Sequence, residues 1–117
     1  MDTVPDFNSS ELWVIRTTLK ERYGQDIEIQ LADSEVKLDS SHLEPTWCPT
    51  VYWEVKPVAF VILKTAPERY RSQFFYSETE FYDTGIDEYD NLSDCVTTLL
   101  KMQADHEVQR KLEPQKN

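Results

Sequence analysis

The sequence has few of the residues from which most catalytic and cofactor sites are built. Among 117 residues it contains 2 glycines, 2 cysteines and 2 histidines. Two glycines cannot form a phosphate-binding loop, and neither a P-loop nor a dinucleotide fingerprint is present. His42 and His106 lie far apart in the sequence, and the many carboxylates have no neighbours that would mark an acid–base pair. We therefore predict that the protein is not an enzyme and has no catalytic residues.

Cysteine is too scarce for a zinc site or a disulfide framework. Cys48 and Cys95 are far apart and have no other candidate ligands beside them. We expect both to be free thiols that serve as small packing residues, with a regulatory disulfide or a reactive thiol as the alternative.

Long apolar runs and basic residues are scarce as well. The longest apolar run, Val58 to Leu63, has the length of a strand, whereas a bilayer span needs roughly 18 residues. The first residues are acidic where a secretion signal is basic, so we expect a cytoplasmic protein without a membrane partner. Twelve Lys and Arg against 22 Asp and Glu give a formal net charge of -10. This charge repels nucleic acids and attracts metal cations and basic protein surfaces.

The hydrophobic and aromatic content of the chain indicates one folded domain. Hydrophobic residues make up 39% and aromatic residues 12% of the chain, too many for a disordered protein. We expect a single domain over residues 1–117, with residues 1–7 and 113–117 as loose ends.

Helical periodicity occurs near each end of the chain. Asn8 and Glu11 have the spacing of a capping box, and Gly24 stands where a left-handed C-terminal cap is favoured, so we predict a helix over residues 9–23. Its apolar face consists of Leu12, Ile15, Leu19 and Tyr23.

The second helix follows an acidic stretch. Asn91 or Ser93 can act as its N-cap, and the periodicity runs to residue 104, with an extension to Leu112 left open. The residues that share its apolar face are Leu92, Val96, Leu99, Leu100 and Gln103.

Between the helices the hydrophobic period changes to two, which indicates strands. The pattern predicts one strand from Asp26 to Leu31 and a short second one over Glu35–Leu38, with a turn at Ala32–Ser34 between them. Residues 39–50 contain two prolines and no periodicity, so we predict a surface loop there.

The core strands follow this loop. Residues 51–55 alternate, the chain bends or breaks at Pro57, and the apolar run after it predicts a central strand covered on both faces. After a turn at residues 66–68, the aromatic-rich stretch 70–76 pairs antiparallel with its predecessor. We thus predict an α+β domain in which an antiparallel sheet of about four to five strands has the N-terminal and C-terminal helices packed on one face.

The stretch ETEFYDTGIDEYDNLSD, from Glu78 to Asp94, contains seven carboxylates and no Lys or Arg. Such crowding of anions weakens a fold unless a cation or a cationic partner lies nearby. Gly85 and the aromatic residues around it predict a tight acidic loop pinned by aromatic side chains.

Calcium is the cation that this chemistry favours, because it takes six to eight oxygen ligands from flexible acidic loops. The loop lacks the ligand spacing of an EF-hand. A second oxygen-rich cluster surrounds Asp33 and Asp39, and strands that bring both loops to one edge of the sheet would form a single basin. The candidate ligands are Glu35, Asp39, Ser40, Asp83, Asp87, Glu88 and Asp90, with the Thr84 hydroxyl nearby.

Three segments carry a resemblance to a known family. SSELWVIRTTLKERYGQDIEIQLADSEV, CPTVYWEVKPVAFVILKT and YRSQFFYSETEFYDTGIDEYD, together with the size and acidity of the chain, resemble the small calcium-binding proteins of heterocyst-forming cyanobacteria. The resemblance implies a cytoplasmic protein without EF-hands that sequesters calcium and limits free calcium until it is removed during heterocyst differentiation. It carries over no ligand signature.

Two other hypotheses stay open at this point. The acidic surface also suits an interaction protein, such as an inhibitor, an immunity-type partner or a nucleic-acid mimic, that docks on a basic protein surface. In the third hypothesis the acidity serves solubility alone.

Overall fold

The computed structural model describes residues 4–36 and 45–112. Within them, one helix precedes and one follows a five-stranded antiparallel sheet, which confirms the predicted α+β class. The strands lie in the sheet in their chain order, so each pairs with the strands before and after it. The elements are α1 (Ser9–Tyr23), β1 (Gln30–Val36), β2 (Thr46–Val55), β3 (Val58–Ala66), β4 (Arg69–Phe75), β5 (Phe81–Asp83) and α2 (Leu92–Leu112).

Helix α1 begins and ends as its caps predict. The Asn8 side chain accepts a hydrogen bond from the Glu11 amide, and the Glu11 carboxylate accepts one from the Asn8 amide, each at 2.8 Å. Gly24 has a φ of 71°, which suits glycine, and its amide donates to the Lys20 carbonyl at 2.8 Å.

Helix α2 is capped by Asn91, whose Oδ1 accepts from the Asp94 amide at 3.0 Å. The helix extends to Leu112, so the longer of the two predicted ends is correct. All five residues of its predicted apolar face are buried.

The core lies between one face of the sheet and the two helices. Ile15 and Leu19 of α1 are fully buried there with residues of α2 and of the three middle strands. The indole of Trp53 stacks on Phe60 of the neighbouring strand, with ring centroids 5.2 Å apart. The other face of β3 is less covered, because Val61 and Leu63 are only half-buried.

The predictions for the first two strands were partly wrong. Residues 26–29 lie outside any strand, although Ile27 and Ile29 pack against the core. The predicted turn at Ala32–Ser34 lies inside β1, where every residue pairs with β2. Pairing with a neighbouring strand outweighs the turn propensity of these short polar residues.

Strand β2 begins at Thr46, so the last part of the predicted loop is strand, while residues 37–44 lie outside the described residues. Pro49 is tolerated because it precedes Thr50, the first residue of β2 that pairs with β3, so β3 needs no amide donor from it. At Pro57 the chain reverses in a hairpin, with Val55 paired to Val58. The strand predicted over residues 70–76 is confirmed as β4.

A charged cluster inside this fold has no counterpart in the sequence predictions. Lys64 of β3 is 5% exposed, and its ammonium donates to Glu11 Oε1 at 2.8 Å and to the Asp6 carbonyl at 3.1 Å. The Tyr70 hydroxyl donates to the other carboxylate oxygen of Glu11. Burial raises the pKa of Glu11, but the hydrogen bonds from Lys64, Tyr70 and the Asn8 amide, with the Lys64 charge, outweigh it and hold that pKa below its usual value.

The same cluster anchors the N-terminal arm. Residues 4–7 form neither helix nor strand, yet Phe7 stacks on Tyr70 with ring centroids 6.3 Å apart. The arm expected to be loose is therefore attached at Asp6 and Phe7, while residues 1–3 and 113–117 lie outside the described residues.

Both cysteines are free thiols and fully buried. Cys48 lies on β2 and Cys95 in the first turns of α2, where their small side chains fill space in the packed interior, as predicted. In the described part of the chain, neither helix has the length and apolarity needed to cross a bilayer.

Candidate cation-binding segments

The acidic stretch leaves the sheet edge and returns to it before α2 begins. Strand β5 pairs with β4, placing Phe81 opposite Phe75 and Asp83 opposite Gln73. Tyr89 then exchanges two backbone hydrogen bonds with Tyr70, of 2.7 and 2.9 Å. Both ends of the loop over residues 84–88 are thus held by β4.

Inside this loop, side chains fix the backbone. The hydroxyls of Thr84 and Tyr89 are buried and lie 2.5 Å apart. Gly85 has a φ of 79°, and its amide donates to Asp83 Oδ1 at 2.8 Å. Of the aromatic residues expected to pin the loop, Tyr89 is buried and Tyr82 rests on His106 of α2 with ring centroids 4.2 Å apart, while Phe81 is exposed.

Glu88 already has cationic neighbours. Its carboxylate accepts from Thr65 Oγ1 at 2.9 Å, and Nε of Arg71 and of Arg69 lie 3.5 and 3.9 Å from its oxygens. Arg71 Nε makes no hydrogen bond to a protein atom of the described residues, so this contact is one of charge rather than of aligned donor and acceptor. A metal ion at Glu88 would have to compete with two guanidinium groups.

Asp83 and Asp87 border the same groove. Both are exposed and both line a cavity of about 260 Å³ on the sheet face opposite the helices. Gln73 lines the same cavity and adds an amide, and Arg71 lies on its wall. Asp90 is exposed but is not part of this lining.

The end of β1 reaches the same groove. Val36 lines it together with Asp83 and Asp87, although β1 and β5 are the two outermost strands in the sheet order. Glu35 pairs with Trp47 and alternates with Val36 along β1, so its exposed side chain belongs to the opposite face. The candidate ligands Asp39 and Ser40 lie outside the described residues.

A complete metal site is not formed by the described residues alone. Among residues 4–36 and 45–112, no group of three or more His, Cys, Asp or Glu side chains is placed to hold a metal ion. If calcium bound here, the carboxylates of Asp83 and Asp87 could contribute to its shell, and further oxygens would have to come from amides, carbonyls or water.

Sequence reasoning did not find the arginines that engage Glu88. The alternation of Arg69, Arg71 and Gln73 with the buried residues of β4 places these three side chains on the exposed face. That alternation is visible in the sequence, but the position of Glu88 above this face depends on how the loop after β5 folds back.

No family model, no curated protein and no solved structure matches this chain.

Proposed function

We propose that this protein binds calcium and sequesters it, with one site at the groove where Asp83 and Asp87 meet the end of β1. The observation that carries the proposal is the shared lining of that groove by Val36 and the two aspartates. From Val36 the chain continues into the stretch that contains Asp39 and Ser40. The described end of β1 thus borders the groove that Asp83 and Asp87 line, which supports the single-basin hypothesis.

Charge supports a cation at this place. Asp83 and Asp87 are both exposed, and Glu78 and Glu80 precede them in the same acidic stretch. A bound divalent ion reduces the repulsion among these carboxylates, so binding stabilises the folded state. At a free calcium concentration of 100 times the dissociation constant, the stabilisation amounts to about 2.7 kcal/mol.

The geometry predicts modest affinity and rapid exchange. Two carboxylates and one amide provide fewer than the six to eight oxygens that calcium takes, so water completes the shell. We expect a dissociation constant on the order of 10⁻⁵ to 10⁻⁴ M, weaker than that of dedicated cytosolic buffers, so the site takes up calcium when its free concentration rises and releases it readily. The three segments that resemble calcium-binding proteins of heterocyst-forming cyanobacteria support the same role, the control of free cytoplasmic calcium in signalling or differentiation.

Calorimetric titration of chelator-treated protein with calcium, in excess magnesium, tests this proposal. Asp83→Asn and Asp87→Asn keep the side-chain shape and remove one charge each, and each is expected to weaken binding at least tenfold. Asp39→Asn tests the contribution of the segment after Val36. The matched control is Asp105→Asn, at an exposed position on α2, which should change affinity less than twofold.

Removal of a positive charge tests whether calcium binds at this groove. Arg71→Gln removes a cation from the groove wall and is expected to tighten calcium binding several-fold. Absence of saturable binding at 1 mM calcium would refute the function. Binding that survives both Asp83→Asn and Asp87→Asn unchanged would refute this site.

A further inference from the structure

Strand β1 is an exposed edge of the sheet. It pairs with β2 on one side, and no other strand in the described residues pairs with its outer side. An edge of this kind presents backbone amides and carbonyls at alternate residues. Gln30–Val36 contains neither proline nor lysine, two residues that commonly protect an edge from pairing.

An apolar and acidic furrow runs beside this edge on the sheet face that carries the helices. Leu31 is 58% exposed and Trp47 43% exposed, which are large values for such side chains in a folded domain. The N-terminal arm forms the other wall. Two adjoining cavities of about 620 and 310 Å³ lie here, and Asp6 and Asp33 line both of them.

The charges of the furrow select one class of occupant. Neither Lys nor Arg occurs among the described residues that line the two cavities. If a second copy paired along β1, its Asp33 and Glu35 would lie close to Asp33 and Glu35 of the first copy. Like charges on facing strands are destabilising. A strand that carries Lys or Arg meets opposite charges at the same positions.

We infer that β1 and this furrow bind an extended basic segment of another protein, which adds to the sheet as a sixth strand. The partner's backbone pairs with the open side of β1. One apolar side chain packs against Leu31 and Trp47, and a Lys or Arg side chain contacts Asp6 and Asp33, with an additional cation–π contribution from Trp47. This surface uses neither Asp83 nor Asp87, so it is independent of calcium binding.

A synthetic peptide of alternating lysine and valine, seven residues long and fluorescently labelled, serves as the probe. We expect saturable binding by fluorescence anisotropy at low salt, weakened at least tenfold in Asp33→Lys. The matched control Asp105→Lys makes the same charge change on an exposed site of α2 and should weaken binding less than threefold. N-methylation of every second peptide amide keeps the charge but removes backbone donors. Of the two possible sets of alternate amides, methylation of the set that faces β1 should abolish binding, and methylation of the other set should not.

Nuclear magnetic resonance separates docking from diffuse charge attraction. Amide shifts confined to Gln30–Val36, with a shift of the Trp47 indole, support the inference. Equal weakening by the two lysine variants, shifts centred on Glu78–Asp94, or no binding at 1 mM peptide would overturn it. A dimer in sedimentation that Leu31→Lys dissociates would assign the surface to a second copy and would also overturn it.

Discussion

Replacement of Lys64 by methionine is expected to lower the free energy of unfolding by about 3 kcal/mol. Lys64 is 5% exposed and donates two hydrogen bonds, to Glu11 and to the Asp6 carbonyl. Breaking a buried ion pair by removing one partner costs roughly 3–5 kcal/mol. The lower end applies here, because Glu11 keeps the hydrogen bonds from Tyr70 and from the Asn8 amide.

Urea unfolding followed by circular dichroism measures this change, and a double-mutant cycle isolates the pair. Glu11→Gln retains the shape of the side chain and is expected to cost about 3 kcal/mol, again at the lower end, because the glutamine oxygen can still accept from Lys64. Because each single variant leaves the other charge without its partner, the double variant should cost less than the sum, with a coupling energy of about 2 kcal/mol.

The pH dependence of the stability provides a second test of the Lys64–Glu11 pair. The pKa of Glu11 is lower in the folded than in the unfolded protein, so its stabilisation is present above the ordinary value of 4.5 and is lost as pH falls through the lowered pKa. Glu11→Gln should flatten the acid limb of the stability curve. A Lys64→Met variant within 0.5 kcal/mol of the wild type, or additive single variants, would refute the claim that this buried pair stabilises the fold.

Three further outcomes are expected from the packing and the caps. Burial raises the pKa of Cys95 to about 11 from an ordinary 9.0, so stability should fall by roughly 2–3 kcal/mol between pH 9 and 11, and Cys95→Ala should flatten that limb of urea-derived stability. Because Cys48 and Cys95 are fully buried, a colourless aromatic disulfide reagent at pH 8 should modify both at least 100-fold more slowly in native than in urea-unfolded protein, and fast native reaction would contradict their burial. Asn91→Ala should cost about 1 kcal/mol in the same unfolding assay, and Asn91→Asp should not, because Asn91 Oδ1 caps α2 through the Asp94 amide; equal stability of both variants would argue against the cap.

The helices could be predicted because their signals are local. Asn8, Glu11 and Gly24 lie within one turn of the ends that they specify, and the structure forms each predicted cap. The buried faces of both helices follow from apolar residues at helical spacing. For such elements a short stretch of sequence contains most of the information.

Strand β1 was mispredicted because its own residues contain little hydrophobic pattern. Its side chains are mostly exposed on both faces, so the polar stretch Ala32–Ser34 resembles a turn. The residues that do alternate, Ile27 and Ile29, pack against the core without pairing as a strand. Only the pairing with β2, which is non-local, distinguishes these possibilities.

The candidate site could be predicted as a composition but not as a geometry. The acidity of Glu78–Asp94 is evident from the sequence, and it favours a cation. The sequence does not show that Glu88 is engaged by Arg69 and Arg71, or that Val36 borders the same groove as Asp83. Both facts depend on how the strands pair and where the loop after β5 crosses the sheet.

The buried Lys64 was overlooked for a related reason. It follows directly after an apolar run, and a lysine at that position usually marks the point where a strand reaches solvent. Its partner Glu11 lies 53 positions earlier and was interpreted as part of a helix cap. One carboxylate performs both tasks, and only the tertiary structure reveals the second.

The order of elements also bears on how the protein is synthesised. The five strands are consecutive in the chain and pair with their immediate neighbours, so the sheet can assemble from nearby residues as they emerge. Its apolar face is completed by α2, which packs on β4 and on α1 and is made after all five strands. Until residues 92–112 leave the ribosome, Phe74 of β4 lacks the cover that His106 of α2 gives it at a ring-centroid distance of 5.7 Å, and the nascent chain is then most exposed to aggregation and most dependent on chaperones.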